Sequence, residues 1–272
     1  MSKPIPAAWL AAIDEFCEIL RAGGAPSTTI GTRRNHLQRV ARVMGGSPYE
    51  LDGERLVGWC GRQDWAIETR RGYRATLRAF YGWAVAAGRT AENPAADLPK
   101  VRAAIPAPRP ASEIAYREAL VRADDRGRVI LRLAAEAGLR RAEVARVHSR
   151  DLVEDLEGWS LVVHGKGGRQ RVIPLTPELA AAVRSRGSGW AFPGRDGGHL
   201  SPRWVGKIVT TLLPGSTTMH QLRHRFATRA YSVDRDVFTV QELLGHASPA
   251  TTRRYVAVPS SAMRATVRAV AS

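Results

Sequence analysis

WSLVVHGKGGRQRVIPL, residues 159–175, decides the fold class. Residues 159–164 and 169–175 are runs rich in β-branched side chains, and Gly165, Lys166, Gly167 and Gly168 between them have the composition of a hairpin turn. On both sides of this stretch the apolar residues recur at helical spacing instead. The expectation is a mainly α protein with a small β-sheet.

Working outward, helices are predicted at 113–122 and 126–137 before the hairpin, and at 177–186, 202–213, 220–231, 237–244 and 249–256 after it. A last amphipathic piece spans 260–270, with Met263, Val267 and Val270 on one stripe. Together these form a mixed α+β domain over 111–272. Upstream, Pro94, Pro99, Pro106, Pro108 and Pro110 stand among small and basic residues, so no continuous helix or central strand fits there. Residues 94–110 read as a linker. Residues 1–93 hold four helical patterns, at 9–20, 28–44, 54–60 and 67–87, with Ser27 and Asp52 at N-cap positions. That half reads as a small helical bundle.

Charge points to the partner. The 272 residues carry 41 Lys and Arg against 25 Asp and Glu, a net of +16, and both halves are basic, the second more so. Such an excess suits a polyanion, although an arginine-rich, solvated surface has the same composition. Arg33, Arg34, Arg39 and Arg42 recur on the second helical pattern, and Arg70, Arg71, Arg74 and Arg78 on the fourth. Either face can track phosphates or simply meet water. Cys17 and Cys60 are too few for a disulfide framework or a cysteine zinc site, which fits a reduced, cytoplasmic setting. No apolar run approaches the ~18 residues of a membrane span, and the start lacks the order of a signal peptide.

Several short stretches carry chemistry. His220-Gln221-Leu222-Arg223-His224 opens a helix, and the spacing of three puts His220 and Arg223 on one face, a cationic pair for an anion. His220 and His224 have the spacing of a zinc pair, but Gln221 stands where such a motif carries its general-base Glu and no third ligand stands out. Leu243-Leu244-Gly245-His246 ends a helix at a glycine, and Tyr255 follows on the next. Alone, Tyr255 reads as a core tyrosine, since a phenol of pKa near 10 attacks poorly without cationic help. Gly138-Leu139-Arg140-Arg141-Ala142-Glu143 breaks one helix and starts another, presenting Arg140.

Taken in order, Gly138-Leu139-Arg140-x-x-Glu143, Gly165-Lys166-Gly167, His220-x-x-Arg223-His224, Leu244-Gly245-His246 and Tyr255 resemble the tyrosine recombinase family of phage integrases and Xer-type recombinases. The likeness is strong over 111–256 and looser over 7–100. It implies a helical core-binding domain in front of an α+β catalytic domain. It implies that Arg140 and Arg223 grip the scissile phosphate, that Lys166 protonates the departing 5′ oxygen, that His220 and His246 support the phosphate, and that Tyr255 is the nucleophile forming a 3′-phosphotyrosine. Glu143 would be structural support. Arg33, Arg34, Arg70, Arg71, Arg74 and Arg78 become candidate DNA contacts. No cofactor, metal or ATP is expected, since preorganised cations suffice for charge stabilisation.

The implied partners are double-stranded core-type DNA sites, a homotetramer on paired sites and an accessory or directionality factor, with no membrane. Because the helical pattern begins almost at Met1, an additional arm-binding domain is not expected. The leading expectation is a phage or mobile-element integrase. A Xer-like housekeeping resolvase, a type IB topoisomerase-like enzyme and a non-catalytic DNA-binding protein are the other readings.

Overall fold

The computed structural model describes residues 3–103, 107–165 and 168–245, without the side chains of Asp155 and Asp234. Two compact units divide the chain, Met1–Ile105 and Pro106–Ser272.

In the first unit four helices, α1 (Ala7–Ala22), α2 (Ser27–Met44), α3 (Gly53–Gly61) and α4 (Ile67–Ala86), surround an aromatic and aliphatic core. Trp9 stacks on Phe80 at 5.9 Å between ring centroids, and Phe16 meets Phe80 edge-on at 5.4 Å. Such pairs add specificity to the burial that drives the bundle. Asp52 caps α3 through the backbone N–H groups of Glu54 and Arg55 at 3.3 and 2.9 Å. Ser27 does not cap α2. It is the first helical residue, and Pro26 occupies the N-cap position with φ −58° and ψ 141°. A fixed proline φ prepares the turn without a side-chain acceptor.

The proline-rich stretch begins inside this unit, because Ala95 and Leu98 are buried in its core. Two arginines of α4 hold it there. Arg74 Nε donates to the Leu98 carbonyl at 2.9 Å, and Arg78 Nη1 donates to Ala95 and Ala96 at 3.3 and 2.5 Å. A third, Arg70, bonds the carbonyls of Cys60 and Gln63 at 2.9 and 2.7 Å, at the end of α3.

The second unit is built on α6 (Asp125–Glu136), whose Val129, Ile130, Leu131, Leu133 and Ala134 are all buried. A helix apolar on most of its circumference must be central. Around it pack α5 (Glu113–Arg122), α7 (Arg141–Ala145), α8 (Pro177–Arg184), α9 (Pro202–Leu212) and α10 (Met219–Asp234), and α11 (Val237–Leu244) leans on α10. The β component is a three-stranded antiparallel sheet in the order β1 (Leu152–Asp155), β2 (Gly158–His164), β3 (Gln170–Pro174). Leu161 pairs with Ile173 in the β2–β3 register, and both face the core.

The expected fold, mainly helical with a small sheet, is the observed one. β1, at four residues too short to show periodicity, is an addition, and α7 is the helix expected to start after Gly138. The segments 249–256 and 260–270 lie outside the described residues.

Candidate active site

A buried carboxylate organises the second unit's polar cluster. Glu143, in the first turn of α7, is 7% exposed and faces three arginines from separate parts of the chain. Its Oε2 accepts the Arg140 backbone N–H at 2.8 Å and its Oε1 accepts Arg140 Nη1 at 2.8 Å. Arg171 of β3 binds it with both terminal nitrogens, Nη1 to Oε1 at 3.0 Å and Nη2 to Oε2 at 2.8 Å. Arg223 Nη1 stands 3.8 Å from Oε2. Burial pushes the Glu143 carboxyl up, but the Arg171 fork, the Arg140 N–H and the charges of Arg171 and Arg223 outweigh it and hold the group at about 2. The carboxylate therefore stays charged at any working pH.

Arg223 sits in the first turns of α10 and is 1% exposed. Its Nη1 donates to the Gly138 carbonyl and its Nη2 to the Leu244 carbonyl, the latter at 2.6 Å. One guanidinium thus ties the chain entering α7 to the last turn of α11. Arg171 Nε adds a second tie, donating to the Leu243 carbonyl at 2.9 Å. Terminal helix carbonyls lack intrahelical partners, and planar cationic donors suit them well.

Two glycines make these approaches possible. Gly138 has φ +65°, and a Cβ there would run into the Phe226 ring of α10. Gly245, closing α11 with φ +61°, would bring a Cβ within 2.9 Å of Arg171 Cδ. A left-handed backbone and close packing both require glycine.

His220 lies in the first turn of α10. Crowding by the protein, then the positive charges of Arg223 and Arg140, hold its pKa below the ordinary imidazole value, so the ring is neutral at pH 7. Its ring meets that of buried His224 edge-on at 4.8 Å between centroids. Gln221 serves the helix start, where the Thr218 N–H donates to its side-chain oxygen at 2.7 Å and the Thr218 hydroxyl accepts the Gln221 N–H at 3.4 Å. This capping box sets where α10 begins, and so where His220 and Arg223 point.

Arg140, Arg223 and His220 therefore converge, the Arg140 side chain being 41% exposed while Arg223 is enclosed. Lys166, His246 and Tyr255 lie outside the described residues. Gly165 and Gly168 flank the lysine position, and Gly245 immediately precedes His246.

Arg171 is not among the residues that the sequence motifs single out. A signal for it exists: β3 alternates, so Arg171 shares a face with buried Ile173, and a charge on an inward face needs a buried partner. The six candidate DNA-contact arginines of the first unit divide. Arg70, Arg74 and Arg78 brace carbonyls, Arg71 pairs with Glu68 at 2.8 Å, Arg34 pairs with Asp14 at 2.5 Å, and Arg33 is half-buried on α2. Among the described residues, no helix is long and apolar enough to cross a membrane.

An enclosed anchor carrying convergent cations suits binding of a phosphodiester whose charge rises during attack. Residues 115–261 match the phage integrase family. A tyrosine recombinase XerC of Xanthomonas campestris pv. campestris is 35% identical, with 81% of each chain covered. A XerC of Xylella fastidiosa is 36% identical, covering 81% of this chain and 88% of its own. Among solved structures, a lambda integrase dimer bound to a COC′ core site superposes with a TM-score of 0.73 at 18% identity, over 90% of this chain and 76% of that one. XerH recombinase bound to a palindromic difH substrate gives 0.72 at 17% identity, over 96% and 84%. The chain belongs to the phage integrase family, the tyrosine recombinases, and is a DNA strand-exchange enzyme.

Proposed function

We propose that the enzyme recombines double-stranded DNA at paired core-type sites through a covalent 3′-phosphotyrosine on Tyr255. The Tyr255 oxygen attacks the scissile phosphorus while its phenolic proton passes to the neutral His220 ring. The P–O bond to the 5′ carbon's oxygen breaks, and Lys166 gives that oxygen its proton. Arg140 and Arg223 hold the non-bridging oxygens as their charge grows, and His220 and His246 hydrogen-bond the same phosphate. The phosphotyrosyl bond keeps the energy of the phosphodiester, so a 5′ hydroxyl from another strand can attack it and restore DNA without ATP.

One observation carries the reading: Glu143 ties Arg140 to Arg223, which are distant in sequence, and leaves Arg140 facing solvent. The full chain should form an SDS-stable protein–DNA adduct on a nicked suicide duplex bearing its core site. Arg140→Ala and Arg223→Ala should each lower adduct yield by about a hundredfold or more, the scale of losing a preorganised transition-state donor. Adduct formation unchanged by both substitutions would defeat the assignment.

The setting has two readings. A phage or mobile-element integrase is the expectation from sequence. The XerC names of the curated relatives, matched over four-fifths of the chain, favour a Xer-type resolvase acting on two like sites. Plasmid assays separate them. A resolvase excises DNA between two identical chromosomal sites, whereas an integrase requires two unlike attachment sites. Relaxation of a one-site supercoiled plasmid with no two-site product would favour topoisomerase-like action. A tetramer on the paired sites and an accessory factor belong to this proposal, as does a cytoplasmic location.

A further inference from the structure

The general acid is expected in the turn between Gly165 and Gly168, and a proton donor works only when held in register with the atom it protonates. The stem of that turn is described on both sides. Gly165 N–H donates to the Arg169 carbonyl at 2.7 Å, and His164 is the register partner of Gln170. His164 does more than pair in the ladder. Its Nε2 is 3.0 Å from Oδ1 of Asp151, a buried residue in the 3₁₀ turn before β1, and its Nδ1 is 3.2 Å from the Gln170 side-chain nitrogen. With the Asp151 carboxylate accepting from Nε2–H, Nδ1 is left as the acceptor for the Gln170 amide. Both ring nitrogens are thereby committed, one to the 3₁₀ turn before β1 and one to the start of β3. The imidazole side chain is 45% exposed, so it fills no core role that demands a histidine there.

Asp151 also has a particular place in the chain. It follows α7, the helix whose N-cap position Arg140 holds, with only residues 146–150 between. The Asp151–His164 bond therefore ties the stem of the lysine turn to the segment leaving the arginine helix.

We propose that His164, clamped between Asp151 and Gln170, is a positioning residue that fixes the β2–β3 turn so that Lys166 meets the leaving oxygen. The inference rests on Lys166 being the general acid, as given under the proposed function. His164 itself touches no reacting atom; it acts by removing freedom from the stem.

A substrate with a 5′-phosphorothiolate at the scissile bond tests this, because a thiolate leaves without a proton. On ordinary DNA, His164→Ala should slow cleavage by about tenfold to a hundredfold, part of the roughly 10²–10⁴ that a general acid contributes. On the phosphorothiolate its rate should return to within about threefold of the parent, and adding it to Lys166→Ala should cost little more than Lys166→Ala alone. Gln170→Ala removes an exposed side chain and should show the same pattern at smaller amplitude, which serves if His164→Ala folds poorly. Arg140→Ala should gain no comparable rescue. The idea is overturned if the His164→Ala or Gln170→Ala defect persists on the phosphorothiolate, adds fully to Lys166→Ala, or is missing on ordinary DNA. If Lys166→Ala itself is not rescued, the acid assignment fails, and the positioning role fails with it.

Discussion

Glu143 shows how one buried carboxylate can hold a cluster of cations together. An ordinary glutamic acid titrates near 4.5, whereas this one is held at about 2. The folded state therefore binds fewer protons than the unfolded chain in that interval, so Glu143 stabilises fully above pH 4.5 and its contribution fades as pH falls toward 2. The size is on the order of 3 kcal/mol. Glu143→Gln strands Arg171 and Arg223 as enclosed cations and should cost on the order of 3–5 kcal/mol at neutral pH. Urea melts at about pH 7 and about pH 3 should show the parent losing stability between them and the variant losing much less. Equal acid sensitivity in the two proteins would contradict this account. Gly138→Ala belongs at the same scale: a positive φ and the Phe226 ring both oppose a Cβ, so a loss of about 2 kcal/mol or more is expected from thermal melts.

At the scale of elements, the arginines of α2 and α4 separate into braces and candidate DNA contacts. Arg74→Ala and Arg78→Ala should lower the melting temperature of the first unit, because each removes bonds to carbonyls at Ala95, Ala96 or Leu98. Arg33→Ala and Arg71→Ala should leave melting nearly unchanged, weaken DNA binding about evenly across sequences, and reduce the salt slope by about one each. The reverse pattern would reassign the faces. Periodicity in the sequence locates these arginines but cannot show which carbonyls lie across from them, since those of Arg74 and Arg78 come from a proline-rich stretch with no period of its own. The same limit explains β1, too short to repeat. Ser27 has the right residue type for a cap, yet Pro26 prepares that turn by ring geometry. Arg171 alternates with Ile173 and so is marked as inward-facing, but only the fold shows that its partner is Glu143. By contrast, the hairpin and most helices of the second unit are legible, because glycine turns and long apolar stripes are local signals.

Across the whole molecule, a net charge of +16 spread over two basic units sets the expectation for binding. Affinity for DNA should fall steeply with salt, by about 10³-fold or more between roughly 50 and 200 mM if about six or more phosphates are contacted. A shallow dependence would mean that most of this charge faces water. Cleavage should persist in EDTA, since Arg140, Arg223 and Lys166 supply the charge stabilisation in the proposed chemistry. Loss of cleavage in chelator with recovery on adding zinc would instead revive the metal reading of His220 and His224. The central claim is that Tyr255 is the attacking group, and its most direct measurement is adduct formation by Tyr255→Phe on a suicide substrate. The variant should bind its core site like the parent and yield no SDS-stable protein–DNA adduct, whereas recovery of that adduct with the phenylalanine protein would contradict the account.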